Sequence, residues 1–354
     1  MATNTHLTIH KVVAETADTI SIHFQQPWHK MIDYKAGQYL TLIATIDGKQ
    51  VRRPYSLCSS PHADAFPAVA VKRIPNGVMS NFLADWAAEG KGLEIMEPMG
   101  NFFYEPAPEK RRHLVLFAAG SGITPMFSII KSALKMEPKS EITLVYGNRN
   151  VESIIFHNEL TELQGQNSTR LKVVHCLTSP PDQWYGATGR ISTEMLGEIL
   201  DQTTPALPVE DSLFYMCGPQ GMMDSVQQVL IQRGVPATKV FHESFFSSVS
   251  EEDKEAAIAE QGIIERTVKV IYDGDEFEFT VPAHSTILEA AQDADVDLPY
   301  SCQSGLCTAC RGKCLSGKIH MDETEGLSQN ELDNGFILTC VAHPLSANVV
   351  IEIG

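Results

Sequence analysis

The chain has 354 residues, of which 43% are hydrophobic and 20% charged, and its formal net charge is −17. This composition can bury a core, which excludes disorder as its main description, and so acidic a chain suits neither nucleic acid nor any other phosphate backbone as a partner. No run reaches the roughly 18 apolar residues of a membrane span, and the N-terminus lacks a basic start followed by an apolar stretch, so a cytoplasmic protein without a membrane partner is expected.

The first part of the chain reads as strands. His6–Glu15, Thr19–Gln26, Gln38–Ile46, Val51–Cys58 and Pro67–Ile74 are short, often alternating runs, punctuated by Gly37 and Asp47-Gly48. A helix is expected over Ser80–Ala88. Short strands without long helices predict a small antiparallel barrel. The character then changes. His113–Ala119, Glu141–Gly147, Leu171–Leu177, Ser212–Met216 and Lys239–His242 are apolar strand-like runs, with helix-like segments such as Pro125–Lys135 and Gly221–Arg233 between most of them. That alternation predicts a doubly wound parallel sheet. A polar, charged stretch then reads as a linker. Beyond it come a hairpin, Thr267–Tyr272 with Glu276–Val281, a helix from about Ser285 whose Thr286 and Glu289 match a capping box, and a closing strand over Val349–Ile353. Residues 249–354 carry 20 acids against 6 Lys and Arg, so almost all the excess negative charge lies in this last module. That asymmetry points to a separate module with its own surface partner.

Five of the eight cysteines cluster in that module: Cys302, Cys307, Cys310, Cys314 and Cys340. Without a secretory signal a reducing compartment is expected, and clustered thiols then point to metal rather than disulfides. Cys302-x4-Cys307-x2-Cys310 with a distant Cys340 is the spacing of a plant-type [2Fe–2S] cluster. Three thiolates come from one tight loop rich in small residues (Ser301, Ser304, Gly305, Thr308, Ala309), and the fourth closes the cage. A structural zinc site is the alternative. It usually needs a second C-x2-C or C/H pair, and Cys340 is followed by Val341-Ala342-His343 instead. Cys314 is read as a buried small hydrophobe on a strand leaving the loop.

Gly120-Ser121-Gly122-Ile123-Thr124-Pro125 follows an apolar strand and opens a helix. Glycines let the backbone approach a pyrophosphate, and the helix N-terminus favours its charge. Pro125 stands where a third glycine would complete the dinucleotide fingerprint, so the loop alone is a weak signal. The next strand ends at Gly147-Asn148-Arg149, where a ribose-reading residue belongs. An arginine there can accept a 2′-phosphate, which favours NADPH over NADH; its alternative is a solvated surface side chain. Cys217-Gly218-Pro219 lies at the carboxyl end of another strand, where such sheets place ligands, although a buried cysteine is also a common structural residue. In the barrel, Arg53-Pro54-Tyr55-Ser56 offers a guanidinium for phosphate and an aromatic ring for stacking. Lys72-Arg73-x3-Gly77-x2-Ser80-Asn81 ends in a helix start that could receive a flavin pyrophosphate. Each piece is weak singly; their co-occurrence carries the weight.

Taken in order, these motifs resemble the ferredoxin–NADP⁺ reductase superfamily with a plant-type ferredoxin fused at the C-terminus. The length, module order and Gly-Asn-Arg most resemble the reductase subunits of phenylacetyl-CoA epoxidases. The resemblance implies a multidomain protein. Its parts are a six-stranded antiparallel β-barrel for flavin over 1–107, an α/β doubly wound parallel sheet for NAD(P) over 108–248, a linker over 249–262, and an α+β β-grasp ferredoxin over 263–354. It implies FAD as the flavin, NADPH as the donor with NADH the alternative, and a [2Fe–2S] cluster on Cys302, Cys307, Cys310 and Cys340. It extends the flavin set to Val71, Lys72, Val78 and Met79, places Tyr55, Ser56, Cys217 and Glu243 at the reacting centre, and puts Phe245 and Phe246 beside the flavin ring. The expected activity is NAD(P)H oxidation with single electrons passed to an oxygenase component of phenylacetate catabolism. The alternatives are a reductase for another ring-hydroxylating or di-iron monooxygenase, and, in a different class, a redox sensor without turnover.

Overall fold

The computed structural model describes residues 5–26, 31–203, 211–245 and 263–353, apart from 304, 306 and 325. The expected linker and Phe246 lie outside the described residues. Two compact units emerge, one drawn from Met1–Lys49 with Tyr55–Phe245 and the other from Gln50–Pro54 with Phe246–Gly354.

β1 (Thr5–Thr16), β2 (Thr19–Gln25), β3 (Tyr39–Ile46), β4 (Lys49–Ser56), β5 (Ala68–Lys72) and β6 (Gly92–Ile95) form one sheet, in the order β4-β3-β6-β1-β2-β5, all of it in the first unit except Gln50–Pro54 of β4. The β1–β2, β1–β6, β2–β5 and β3–β6 pairs are antiparallel. Leu57, just past β4, bridges Val69 of β5, so the two ends of the sheet meet and the barrel closes. β6 is the strand that no sequence signal announced: it has four residues and buries only Leu93 and Ile95. Helix α1 (Val78–Trp86) starts and stops two residues earlier than expected. It packs against β3 and β5, which helps to explain why Tyr39–Ala44 is buried on both faces instead of alternating.

The same unit holds a second sheet of β7 (His113–Ala119), β8 (Glu141–Asn148), β9 (Leu171–Leu177), β10 (Ala187–Thr188), β11 (Ser212–Cys217) and β12 (Val240–Glu243). All pairs are parallel, in the order β10-β9-β8-β7-β11-β12. Helices α2 (Ile123–Met136) and α3 (His157–Gln166) pack with Leu114, Leu116 and Ala118 on one face. Helices α4 (Thr193–Thr203) and α5 (Gln220–Gln232) pack with Val115 and Phe117 on the other. Burial on both faces is why these strands read as continuous apolar runs. The chain winds outward from β7 to β10, then returns to add β11 on the other side of β7. The carboxyl ends of β7 and β11 therefore flank the point where the strand order reverses.

The second unit contains β13 (Arg266–Tyr272), β14 (Asp275–Val281), α6 (Ile287–Asp293), β15 (Arg311–Ser316), β16 (Ile319–Met321), α7 (Gln329–Asp333), β17 (Phe336–Leu338), β18 (Ala342–Pro344) and β19 (Val349–Ile353). A five-stranded sheet runs β14-β13-β19-β15-β17, and β16 pairs with β18 alone. Asp273 and Gly274 both take positive φ in the β13–β14 turn, as a two-residue hairpin requires. The expected capping box is present: Glu289 N–H donates to Thr286 Oγ1 at 3.2 Å, and Thr286 N–H to the Glu289 carboxylate at 2.9 Å.

In the first unit one hydrophobic cluster joins barrel residues Ala36, Cys58, Ala68 and Phe102 to the face of the parallel sheet that α2 covers. A buried ion pair stands beside it. Arg112, entering β7, reaches Glu137 at the end of α2, with Nε 3.0 Å from Oε2 and Nη2 2.5 Å from Oε1. Ala107 N–H and Ser140 Oγ also donate to Glu137, at 2.6 and 2.7 Å. Burial alone would raise the Glu137 carboxyl, but these donors hold it below its usual 4.5. A depressed pKa of this kind contributes stability above that value, and the contribution is lost as pH falls through the lower, folded one. Glu137→Gln, which leaves Arg112 with an unpaired charge, should cost about 3–5 kcal/mol in denaturant unfolding. It should also flatten the acid dependence of the unfolding midpoint below pH 4.5.

Candidate functional site

Seven described helices divide cleanly at their first turns. α3, α4, α6 and α7 each carry an acid there, namely Glu159, Glu194, Glu289 and Glu331. α1, α2 and α5 carry none, and their caps, Gly77, Gly122 and Pro219, supply no side-chain acceptor. No acidic or capping side chain therefore competes with an anion at these ends, although at α2 the Ile123 N–H is already taken by the carbonyls of Gly120 and Ser121. These three helices begin at the Gly77–Ser80, Gly120–Pro125 and Cys217–Pro219 motifs.

The two loops at the strand-order reversal are built to touch. A Cβ on Gly122 would fall 2.1 Å from the Cys217 carbonyl oxygen, and one on Gly218 would lie 3.2 Å from Ala119. Gly120, by contrast, has φ +53 and open space where its side chain would be, so its backbone faces a free approach. Tyr146 Oη donates to the Gly120 carbonyl at 3.0 Å, and Thr124 Oγ1 to that of Ser121 at 2.9 Å. Cys217 is fully buried and stands in register with Ala118 on one side and Glu243 on the other. It ends β11 instead of following it, and Glu243 ends β12. Buried Ser56, at the end of β4, donates its hydroxyl to Glu243 Oε2 at 3.1 Å. Three of the four expected reacting-centre residues, Ser56, Cys217 and Glu243, are thus linked by one hydrogen bond and one strand register. Half-buried Tyr55 precedes Ser56.

The remaining nucleotide and flavin residues are placed as follows. Asn148 closes β8, nine-tenths buried, with its side chain beside Tyr146. Arg149 is the first residue past β8 and is exposed. Arg53 is exposed and donates to the Arg52 carbonyl at 2.8 Å, and Pro54 is half-buried. Val71, Met79, Ser80 and Pro125 are buried, whereas Val78 at the tip of α1 is 56% exposed. Lys72 is engaged by Asp18 at 3.6 Å. Phe245 packs against the main core cluster.

In the second unit Cys302, Cys310 and Cys340 are buried and Cys307 is half-buried. Cys307 meets Cys302, Cys302 meets Cys340, and Cys340 meets Cys310. The four thiols thus form one connected run. Contact with Cys302, together with burial, pushes the Cys307 and Cys340 thiols up; donation from Cys340 holds Cys310 down. Four sulfurs so placed cannot all ionise without a cationic centre, and this donor set fits an iron–sulfur cluster. The loop is equally tight. A Cβ on Gly326 would fall 2.5 Å from the Gly305 carbonyl oxygen and 3.1 Å from Cys307 N. Cys314 sits apart on β15, its thiol donating to the Ser316 carbonyl at 3.2 Å. Sequence reasoning missed His343. Buried in β18, it lies 3.0 Å from the Ser285 carbonyl through Nδ1 and 3.0 Å from Asp322 Oδ2 through Nε2. Asp322 N–H donates to the Val341 carbonyl, so the imidazole ties down the segment that carries Cys340. Its signal was present in Cys340-Val341-Ala342-His343, where it was weighed only as a missing metal ligand.

Comparison with known proteins agrees with this geometry. Family models match three consecutive stretches: an oxidoreductase FAD-binding domain over 6–104, an oxidoreductase NAD-binding domain over 116–228, and a 2Fe-2S iron-sulfur cluster binding domain over 270–345. The chain is 35% identical to the E subunit of 1,2-phenylacetyl-CoA epoxidase from Escherichia coli, covering 99% of this chain and 98% of that one. The chain belongs to the ferredoxin–NADP⁺ reductase family, in the form that carries a [2Fe–2S] domain. It is also 38% identical to the ferredoxin reductase component of 3-ketosteroid-9-alpha-monooxygenase from Rhodococcus rhodochrous, over 98% of this chain and 96% of the other. Among solved structures it matches phthalate dioxygenase reductase with a TM-score of 0.69 and 27% identity, over 99% and 98% of the two chains. The protein is therefore an oxidoreductase with FAD-binding, NAD-binding and [2Fe–2S] domains, and among the described residues no helix is long and apolar enough to cross a membrane.

Cys340→Ser should abolish or badly destabilise the visible cluster spectrum while flavin reduction by nucleotide persists. Cys314→Ser should keep both, at a modest cost in thermal midpoint. Exchanged phenotypes would reverse the ligand assignment.

Proposed function

We propose that this reductase takes a hydride from NADPH and delivers single electrons to an oxygenase of the phenylacetyl-CoA epoxidase type. The observation that carries the reading is the Ser56–Glu243 hydrogen bond, which brings the end of the flavin strand to the carboxyl edge of the nucleotide sheet beside Cys217. When bound, FAD accepts the two electrons of a hydride and releases them singly to a [2Fe–2S] centre that takes one at a time.

The chain's own residues hold and orient these groups. Tyr55 offers its ring to the flavin, Arg53 and the start of α1 at Gly77 and Ser80 take up its phosphates, and Val71, Lys72, Val78 and Met79 complete the flavin-binding set. The Gly120–Pro125 turn and the Pro219 start of α5 receive the nucleotide pyrophosphate, where no side chain competes. Asn148 and Arg149, at the end of β8, stand where the nucleotide ribose is read. Ser56, Cys217 and Glu243 flank the place where nicotinamide meets flavin, with Phe245 and Phe246 at its margin. Glu243, a buried carboxylate held by Ser56, can keep a hydrogen bond in place there as charge moves. Cys302, Cys307, Cys310 and Cys340 would together hold the two irons of the cluster.

The epoxidase relative supports this choice of oxygenase, and the comparable identity to the steroid reductase makes a steroid monooxygenase the second reading. Reconstitution separates them. The holoprotein should bleach on NADPH addition and support turnover of a purified phenylacetyl-CoA epoxidase oxygenase, but not of a steroid oxygenase. The opposite preference would overturn the assignment.

Arg149 is exposed and has no ion-pair partner among the described residues, so its charge is available to a 2′-phosphate. Arg149→Ala should weaken NADPH by about 1.5–3 kcal/mol and leave NADH nearly untouched, as read from steady-state KM values. Equal losses for both nucleotides would remove Arg149 as the discriminator.

A further inference from the structure

Helix α2 starts at the nucleotide loop, and one face of it carries hydroxyls where an apolar helix would carry methyls. Ser128 and Ser132 are both fully buried, and with Lys131 they form an i, i+3, i+4 stripe. The stripe meets a single segment of the barrel, Ser59-Ser60, three residues beyond Ser56. Ser128 Oγ donates to the Ser59 carbonyl at 2.5 Å, and Ser132 Oγ lies 2.7 Å from Ser60 Oγ. Lys131 Nζ reaches Asp64 Oδ2 at 2.5 Å, and the same oxygen accepts Ser60 N–H at 2.6 Å. On the barrel side Ser59 Oγ accepts Ala68 N–H at 2.8 Å and lies 2.7 Å from Tyr34 Oη. Ser60 Oγ also accepts His62 N–H at 3.1 Å.

Apolar contact already joins barrel and sheet through the shared core cluster. Adhesion alone does not call for buried hydroxyls, since each costs free energy unless its bonds are made. A directional network does something a greasy contact cannot: it permits only one register. Its two ends lead directly to the chemistry. Upstream along the barrel segment, Ser56 bonds Glu243. Upstream along α2, five residues or about 7.5 Å of rigid helix separate Ser128 from the start at Ile123. The distance between the flavin strand and the pyrophosphate turn is therefore set by a short, fully bonded frame.

We infer that Ser128 and Ser132 are positioning residues for hydride transfer, holding the nucleotide turn in fixed register against the flavin strand through Ser59 and Ser60. This deepens the reading that hydride passes from a nucleotide at Gly120–Pro125 to a flavin at Tyr55–Ser56, and rests on it. Misplacement by about 1 Å is enough to cost orders of magnitude in such a step, while substrate affinity need not change.

The test is anaerobic stopped-flow reduction of FAD-loaded full-length protein by NADPH, followed at several nucleotide concentrations. The variants are Ser128→Ala, Ser132→Ala and Ser132→Thr. Each Ala variant should keep its flavin content and an NADPH dissociation constant within about twofold, while its limiting rate of flavin reduction falls roughly tenfold or more. Ser132→Thr, which keeps the hydroxyl, should recover most of that rate. A limiting rate unchanged in both Ala variants, even with a lower thermal midpoint, would show that the stripe only glues the fold and would overturn the inference. So would a rate that falls in Ser132→Ala and stays down in Ser132→Thr with flavin retained. A wild-type protein whose flavin NADPH fails to reduce would instead remove the underlying reading. If Ser128→Ala loses FAD, the Ser132 pair decides the outcome alone.

Discussion

The first unit is organised around a carboxylate that water never reaches. Glu137 is fully buried and ends the helix that begins at the nucleotide turn. Its four donors come from the chain leaving the barrel (Ala107), the entry to the first parallel strand (Arg112) and the turn before the second (Ser140). A charge so enclosed is tolerable only while every donor stays in place. Barrel exit, first strand and nucleotide helix are thereby held as one piece. The bare start of α2 is then aimed from a fixed base, with the hydroxyl stripe along its length holding the direction.

The division of labour among helix ends follows from the same economy of charge. Where a helix has only to exist, a glutamate closes its first turn, twice as a capping box in the ferredoxin-like unit. At the three helices proposed to meet an anion, the position is left to glycine or proline. The choice is visible in the composition of single turns, and it separates these three helices from the other four more sharply than any one glycine motif does.

Much of this was legible in the sequence because the governing signals are local. The apolar runs His113–Ala119 and Glu141–Gly147 could only be strands buried on both faces, and the Cys302–Cys310 spacing carries its chemistry within nine positions. What was missed depends on partners far along the chain. Gly92–Ile95 is a strand because β1 and β3 lie on either side of it, not because of its four residues. Ser128 and Ser132 look like ordinary helix serines until Ser59 and Ser60 are placed opposite them. His343 acquires meaning only beside Asp322 and Ser285. Local chemistry was readable; cross-chain satisfaction of buried polar groups was not.

The three unguarded helix starts also bear on how firmly the folded chain resists unfolding. Positive dipole ends without a carboxylate or capping side chain gain most from an anion brought from outside. Any ligand that binds the folded chain alone adds stability by mass action, about 2.7 kcal/mol when present at a hundred times its dissociation constant. Groups held at these ends would therefore act as structural members of the fold as well as its chemistry, and the unfolding midpoint would rise with their concentration.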